Sequence, residues 1–201
     1  MARRGARITG LDFSPVALAK AKELATHAGA EVTWVQADAA RIPADLHGRC
    51  DLAYATIGAI CWIEDISAWM RSAAATLRPG GHLVLVEIHP LLNMVAEPEP
   101  FSLDFPYAFD EPHRFNEPGT RGPPCRARIE RDRQLCPQPR RDRHGRDRSG
   151  LRIDSLTEHL EASRSPRPPL VPREADGRYR LRLEGQLLPI LFTLPATKPD
   201  E

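Results

Sequence analysis

This 201-residue chain contains no G-x-G triplet. Tight glycine loops that let backbone amides approach a bound cofactor are built on such triplets, so the usual dinucleotide fingerprint is excluded. It also has little lysine, three residues against 25 arginines, a bias that points to a GC-rich genome rather than to a function. No C-x-x-C pair occurs among Cys50, Cys61, Cys125 and Cys136, so the spacing supports neither a zinc site nor a disulfide framework. The expectation is reduced thiols in the cytoplasm and no metal. Long apolar runs are absent too. The longest uncharged stretches, 52–63 and 185–197, are too short to cross a bilayer as helices, and no apolar stretch follows the basic opening residues. With a net charge of +1, the chain does not work by bulk charge of either sign. What is abundant is proline: 20 residues, about twice the usual share.

The chain changes character near residue 90. Residues 1–90 hold four prolines and equal numbers of basic and acidic residues, nine of each; the other 16 prolines follow. The first part alternates strands with helices. Residues 8–12 read as a short strand ending in Asp12. Ser14 is a good helix N-cap and Pro15 suits the first helical position. Ala17, Ala21, Leu24 and Ala28 then fall at helical spacing, and Gly29 stops the helix. Residues 32–35 and 51–56 read as further strands, Asp65 caps a helix over 66–77, Pro79-Gly80-Gly81 ends it, and 82–88 is a fourth strand. This alternation predicts one mainly parallel sheet with helices on its faces.

Open parallel sheets bind ligands at the carboxyl ends of their strands. Three of those ends carry acids here: Asp12, Asp38 and Glu87. An acid after the second strand of such a sheet can accept hydrogen bonds from both hydroxyls of a ribose. An acid after the next strand can accept from an adenine amino group. One such Asp is as readily a cap or a solvated loop acid; three at this spacing favour a nucleotide.

The segments 2–14, Ala37-Asp38-Ala39 and Leu77-Arg78-Pro79-Gly80-Gly81 resemble the class I S-adenosylmethionine-dependent methyltransferases, in particular the type 11/25 domain group. Gly58-Ala59-Ile60-Cys61-Trp62-Ile63-Glu64-Asp65 with Trp69, and Glu87-Ile88-His89-Pro90, resemble a small-molecule branch of that family. The resemblance covers 2–118 and resumes over 150–199, where Glu158-His159 and the closing strand before Lys198 match. It implies an α/β, Rossmann-like, mostly parallel sheet, S-adenosyl-L-methionine as cofactor and a small-molecule methyl acceptor. It implies that Asp12 and the adjoining Phe13 meet the ribose and Asp38 the adenine amino group, with the Ala39 amide facing the ring. Thr56, Ile57 and Gly58 would line the methionine end. Trp62 would pack by adenine or substrate, or equally in the core. Glu87 and His89 would be the catalytic pair, placed where a substrate proton could be accepted, or His89 would equally be a structural histidine beside a proline turn. Methyl transfer to a good nucleophile needs no base, only in-line positioning and desolvation.

Two departures stand out. The family's first strand and its GxGxG loop precede the segment that opens this chain, so the resemblance implies a fold without them. In the family that strand is the centre of the sheet. Its loss predicts two strand edges without their partner and weak cofactor binding. The second departure is 121–148, with ten arginines in 28 residues, four acids, five apolar residues and no aromatic. One permitted codon choice for 137–148, read one base later, gives HSLGEIVTAVI, the start of an amphipathic helix. The expected organisation is therefore a partial methyltransferase core at 1–120, an Arg-rich irregular insert at 121–149 of shifted reading frame, and strands completing the same domain at 150–201. No membrane or nucleic-acid partner is expected. The rival from another class is an arginine-rich nucleic-acid-binding protein on a degenerate nucleotide fold; against it, the insert lacks interleaved aromatics for base stacking.

Overall fold

The computed structural model describes residues 1–60, 63, 65–95, 102, 103 and 149–200, together with the backbone of 113–115 and 132–134. Strand β1 (Ile8–Asp12) leads into helix α1 (Pro15–His27), and β2 (Val32–Gln36) returns parallel to β1, with Ile8 opposite Val32 and Asp12 opposite Gln36. Ser14 is the N-cap of α1, its Oγ accepting from the Ala17 amide at 3.2 Å, so the local cap signal is obeyed. Gly10 is fixed by packing. A Cβ there would stand 2.3 Å from the ring of Trp34, its register partner on β2.

The residues whose spacing predicts α1 do not line its inner face. Leu24 is 70% exposed, Val16 is 54% exposed, and α1 buries no residue. The half-buried positions are Leu18, Ala21 and Ala25, one face at i, i+3 and i+7. Only Ala21 was common to both sets.

Strand β3 (Cys50–Ala55) and helix α2 (Ile66–Thr76) precede β4 (Leu77–Ile88), parallel to β3. Asp65 caps α2 through its Oδ1, 2.8 Å from the Ala68 amide. The helix ends at Thr76, but Pro79-Gly80-Gly81 runs inside the long β4 rather than in a turn before it. Gly81 fits there because any Cβ would meet the Arg78 carbonyl at 2.8 Å and the Cys50 carbonyl at 3.1 Å. Short helix α3 (Pro90–Met94) follows, then β5 (His113–Phe115), β6 (Asp132–Gln134), β7 (Arg152–Ile153), β8 (Thr157–His159), β9 (Leu181–Leu183), β10 (Gln186–Leu188) and β11 (Leu191–Thr197).

The large sheet has the order β3-β4-β11-β7, with β8 also on β11. β11 runs antiparallel to β4, β7 and β8, so residues after 150 finish the sheet that residues 50–88 begin. One core lies between this sheet and α2: Ile60, Trp69, Met70, Ala73, Leu77, Leu83, Leu85, Leu151, Leu194 and Ala196 are among its buried members. A second, built by Leu92, Val95, Leu170, Val171, Leu181, Ile190 and Leu191, holds the proline-rich segment against α3 and β11. Cys50 is a half-buried free thiol.

The four strands expected in one sheet are in two. β1 and β2 form a ladder of their own, separate from β3 and β4, although each pair is parallel. The reason is geometric: among the described residues no strand hydrogen-bonds to the second edge of β1 or of β3. The seam is visible in burial. No residue from 1 to 59 is buried, and Leu52 and Tyr54 of β3 are 41% and 51% exposed. Charge spans it at one end. Arg78, with its Nε 2.5 Å from Asp51 on β3, holds the Asp51 carboxyl below its ordinary value, and the charge of Arg7 before β1 adds to the effect.

β5 and β6 form an antiparallel pair, with His113 opposite Gln134. The expectation that 121–148 lacks regular structure therefore fails at Asp132–Gln134, where backbone pairing takes over; the rest of that segment lies outside the described residues.

The connection before β9 is held by charge. Arg180 donates to Glu174 and Asp176, each at 2.7 Å, and also pairs with Glu161, while Arg182 donates to Glu174 at 2.8 Å. Hydrogen bonds from Arg182 and Arg180 hold the Glu174 carboxyl below its usual range, and the Arg178 amide with Arg180 does the same for Asp176. The unfolded chain therefore takes up protons first as pH falls. The stabilisation is complete above the unfolded carboxylate value, about 4, and disappears as pH drops through the lower folded values. Amide exchange of 161–182 is expected to be unchanged between pH 7 and 5 and, after correction for intrinsic rates, to accelerate below about pH 4. Corrected rates that stay flat to pH 2 would contradict this.

Candidate functional site

Asp12 ends β1. Its Oδ1 accepts from the Ser14 amide at 2.8 Å, closing an Asx turn that feeds directly into the α1 cap. Asp38 follows β2 and repeats the device, its Oδ1 accepting from the Ala40 amide at 2.8 Å. Among the described residues no hydrogen bond reaches the second oxygen of either carboxylate. The Ala37 amide donates to the Asp12 carbonyl at 3.1 Å, so the pairing of β1 with β2 carries the two acids to neighbouring strand ends. Phe13 lies between the Asp12 turn and the helix, 73% exposed, and its carbonyl accepts from Gln36 Nε2 at 3.3 Å.

Ala39 and Ala40 pack against the first core, which includes Ile60. The Ile42 amide donates to Ser72 Oγ of α2 at 2.8 Å. These contacts tie the end of the small ladder to the large sheet, beside the loop that follows β3. In that loop Thr56 and Ile57 are exposed, the Thr56 carbonyl accepts from the Ala59 amide at 3.2 Å, and Gly58 takes φ +83°. Such a φ favours glycine. Trp62 lies outside the described residues.

Glu87 and His89, expected as the catalytic pair, are both buried, with 4% and 7% exposure. The Glu87 carboxylate accepts three backbone N–H groups: Gly58 at 2.5 Å and Ile88 at 2.7 Å on Oε1, and Ile60 at 3.1 Å on Oε2. His89 Nδ1 accepts from the Leu91 amide at 3.2 Å, capping α3, which makes Nε2 the protonated nitrogen; it donates to Glu158 Oε1 at 2.9 Å. The ring also stands edge-on to Phe192, with centroids 6.5 Å apart. Every hydrogen-bonding position of the imidazole is thus used.

Two partners went unforeseen. Glu158 was noted only as part of a motif, and its contact with His89 crosses 69 residues. Ser72 gave no signal beyond its helical register. Among the described residues no group of three or more His, Cys, Asp or Glu could hold a metal ion, and no helix is long and apolar enough to cross a membrane.

Asp12, Asp38 and the glycine-bearing loop after β3 lie past the carboxyl ends of parallel strands, the edge at which open α/β sheets bind ligands. Residues 1–81 match the family model of a methyltransferase domain. No curated protein matches the chain. Among solved structures, one from Listeria monocytogenes, described as an S-adenosylmethionine-dependent methyltransferase, has 14% identity and a TM-score of 0.60 over 96% of this chain and 79% of that one. A structure from work on the conversion of a disulfide bond into a thioacetal group during echinomycin biosynthesis has 19% identity and a TM-score of 0.56, covering all of this chain and 69% of that one. The [4+2]-cyclase SpnF has 28% identity over 43% of this chain, with a TM-score of 0.40; the match spans 32% of SpnF. Residues 1–81 thus resemble a methyltransferase domain, and the likeness to the Listeria structure shows the Rossmann-like α/β fold of the class I methyltransferases.

Proposed function

We propose that this domain transfers a methyl group from S-adenosylmethionine to a small-molecule acceptor in the cytoplasm. The observation that carries the reading is the pair Asp12 and Asp38. Asp12 ends β1 and Asp38 lies two residues past the end of the adjacent parallel β2, and each is locked by one carboxylate oxygen to an amide two residues on. That leaves the second oxygen of Asp12 for ribose hydroxyls and that of Asp38 for an adenine amino group. The residues therefore fit the adenosyl half of the cofactor. Bound there, S-adenosylmethionine supplies an electrophilic methyl group. Phe13 offers an exposed ring beside the nucleoside, and the Ala39 amide makes no other hydrogen bond among the described residues. Thr56, Ile57 and Gly58 form the wall toward the sulfonium end.

Glu87 and His89 are buried and already engaged, the carboxylate by three amides and the imidazole at both ring nitrogens, which disfavours either as a base for the acceptor. In this reading the acceptor is a good nucleophile, and the protein's contribution is alignment and exclusion of water. Residues 1–120 and 150–201 then make one catalytic domain interrupted by the Arg-rich insert.

Titration calorimetry with S-adenosylhomocysteine tests the reading. Asp12→Ala is expected to weaken binding by about 1–3 kcal/mol, the usual loss on removing a hydrogen-bond partner. An Asp12→Ala chain that is folded and binds as the parent does would refute the assignment.

A further inference from the structure

The ladder between β3 and β4 stops at Ala55, which pairs with Leu85. Two residues on, the register would bring Ile57 to Glu87. Instead the chain turns away at Thr56, and the side chain of Glu87 takes over where the β3–β4 ladder leaves off. Its carboxylate reaches across to the amides of Gly58 and Ile60, 2.5 and 3.1 Å away, and closes on its own strand through the Ile88 amide at 2.7 Å. Glu87 is only 4% exposed, so these donors compensate a carboxylate removed from water. Gly58 supplies the matching backbone. It has φ +83°, and a Cβ added there would meet nothing within 4 Å, so its conformation rather than space demands glycine.

We infer that Glu87 is a positioning residue, the anchor that folds Thr56–Ile60 into the wall beside the sulfonium end of the cofactor, and that it does not accept a proton from the substrate. The inference rests on the adenosyl site proposed above. It predicts a division of labour. Asp12 and Asp38 set affinity for the nucleoside, whereas Glu87 governs only what the ligand gains beyond adenosine.

The test uses the full chain with Glu87→Gln, which keeps the shape but turns one acceptor into a donor facing an N–H. Gly58→Ala is the second variant; it disturbs the same loop while leaving Glu87 in place. Two readouts are taken. In the free chain, amide exchange at Gly58 and Ile60 is expected to rise at least tenfold in Glu87→Gln. In titrations with adenosine and with S-adenosylhomocysteine, adenosine affinity is expected to stay within twofold of the parent, while the advantage of S-adenosylhomocysteine over adenosine falls to none in both variants. Unchanged exchange at Gly58 and Ile60 would overturn the anchor. An intact ratio of the two ligands despite faster exchange would overturn its role at the site. If the parent binds neither ligand, the adenosyl reading fails, and the exchange result still decides the anchor by itself.

Discussion

Amide hydrogen exchange is expected to divide this chain into two parts at the seam between its ladders. Amides of β4 and β11, paired on both sides and backed by Leu83, Leu85, Leu194 and Ala196, should be the most protected. Those of β1 and β2 should exchange at least about a hundredfold faster, a difference of about 2.7 kcal/mol in opening free energy. The reasoning starts from burial. Residues 1–59 contain no buried side chain, and α1 covers its ladder with only Leu18, Ala21 and Ala25 half-buried. A two-stranded ladder under a single helix has little apolar area to offset the entropy of ordering it. Its links to the larger sheet are few: Ala39 and Ala40 on the first core, the Ile42–Ser72 hydrogen bond and the charge of Arg7 near Asp51. Equal protection in β1 and β4 would show that the small ladder is locked onto the large sheet and that the seam carries no energetic weight.

The second large effect concerns affinity. S-adenosylhomocysteine is expected to bind this chain with a Kd of order 100 µM or weaker, about 5.5 kcal/mol, and to exceed adenosine by less than about tenfold. In the proposed site the two acids would grip the nucleoside, but the sequence holds no G-x-G turn to bring amides to the charged amino-acid end. Desolvating that end without partners cancels much of what its contacts return. The acids also sit on the less stable ladder, so each binding event bears part of the cost of ordering it. Calorimetry with both ligands decides the matter. A low-micromolar Kd for S-adenosylhomocysteine would mean that the seam does not disable the site.

Local signals were read correctly because they depend on near neighbours. Ser14 and Asp65 cap their helices through amides three residues on, and Asp12 and Asp38 mark the ends of strands. Periodicity gave the helices but not which face of α1 lies inward, since an apolar Leu24 is buried only if a sheet lies under it. The split into two sheets was hidden for a similar reason. Alternation of strands and helices says which strands are parallel, not whether each edge finds a partner. The long β4 was truncated because Pro79-Gly80-Gly81 reads as a turn, whereas pairing with Cys50 draws Leu77 into the strand. The roles of Glu87 and His89 depend on donors and acceptors 27 to 69 residues away, Ile60 and Gly58 for the one and Glu158 for the other. A buried acid on a strand looks the same in sequence whether it faces a substrate or three amides.

The central claim is that the ends of both ladders, though not hydrogen-bonded to each other, form a single adenosyl site. Chemical-shift mapping of the amides during titration with S-adenosylhomocysteine tests this most directly, because it reports position even when binding is weak. The account predicts saturable shifts at Asp12–Ser14, at Asp38–Ala40 and at Thr56–Gly58, all following one binding curve. Shifts confined to one ladder, separate curves for the two, or no shifts at millimolar ligand would contradict it.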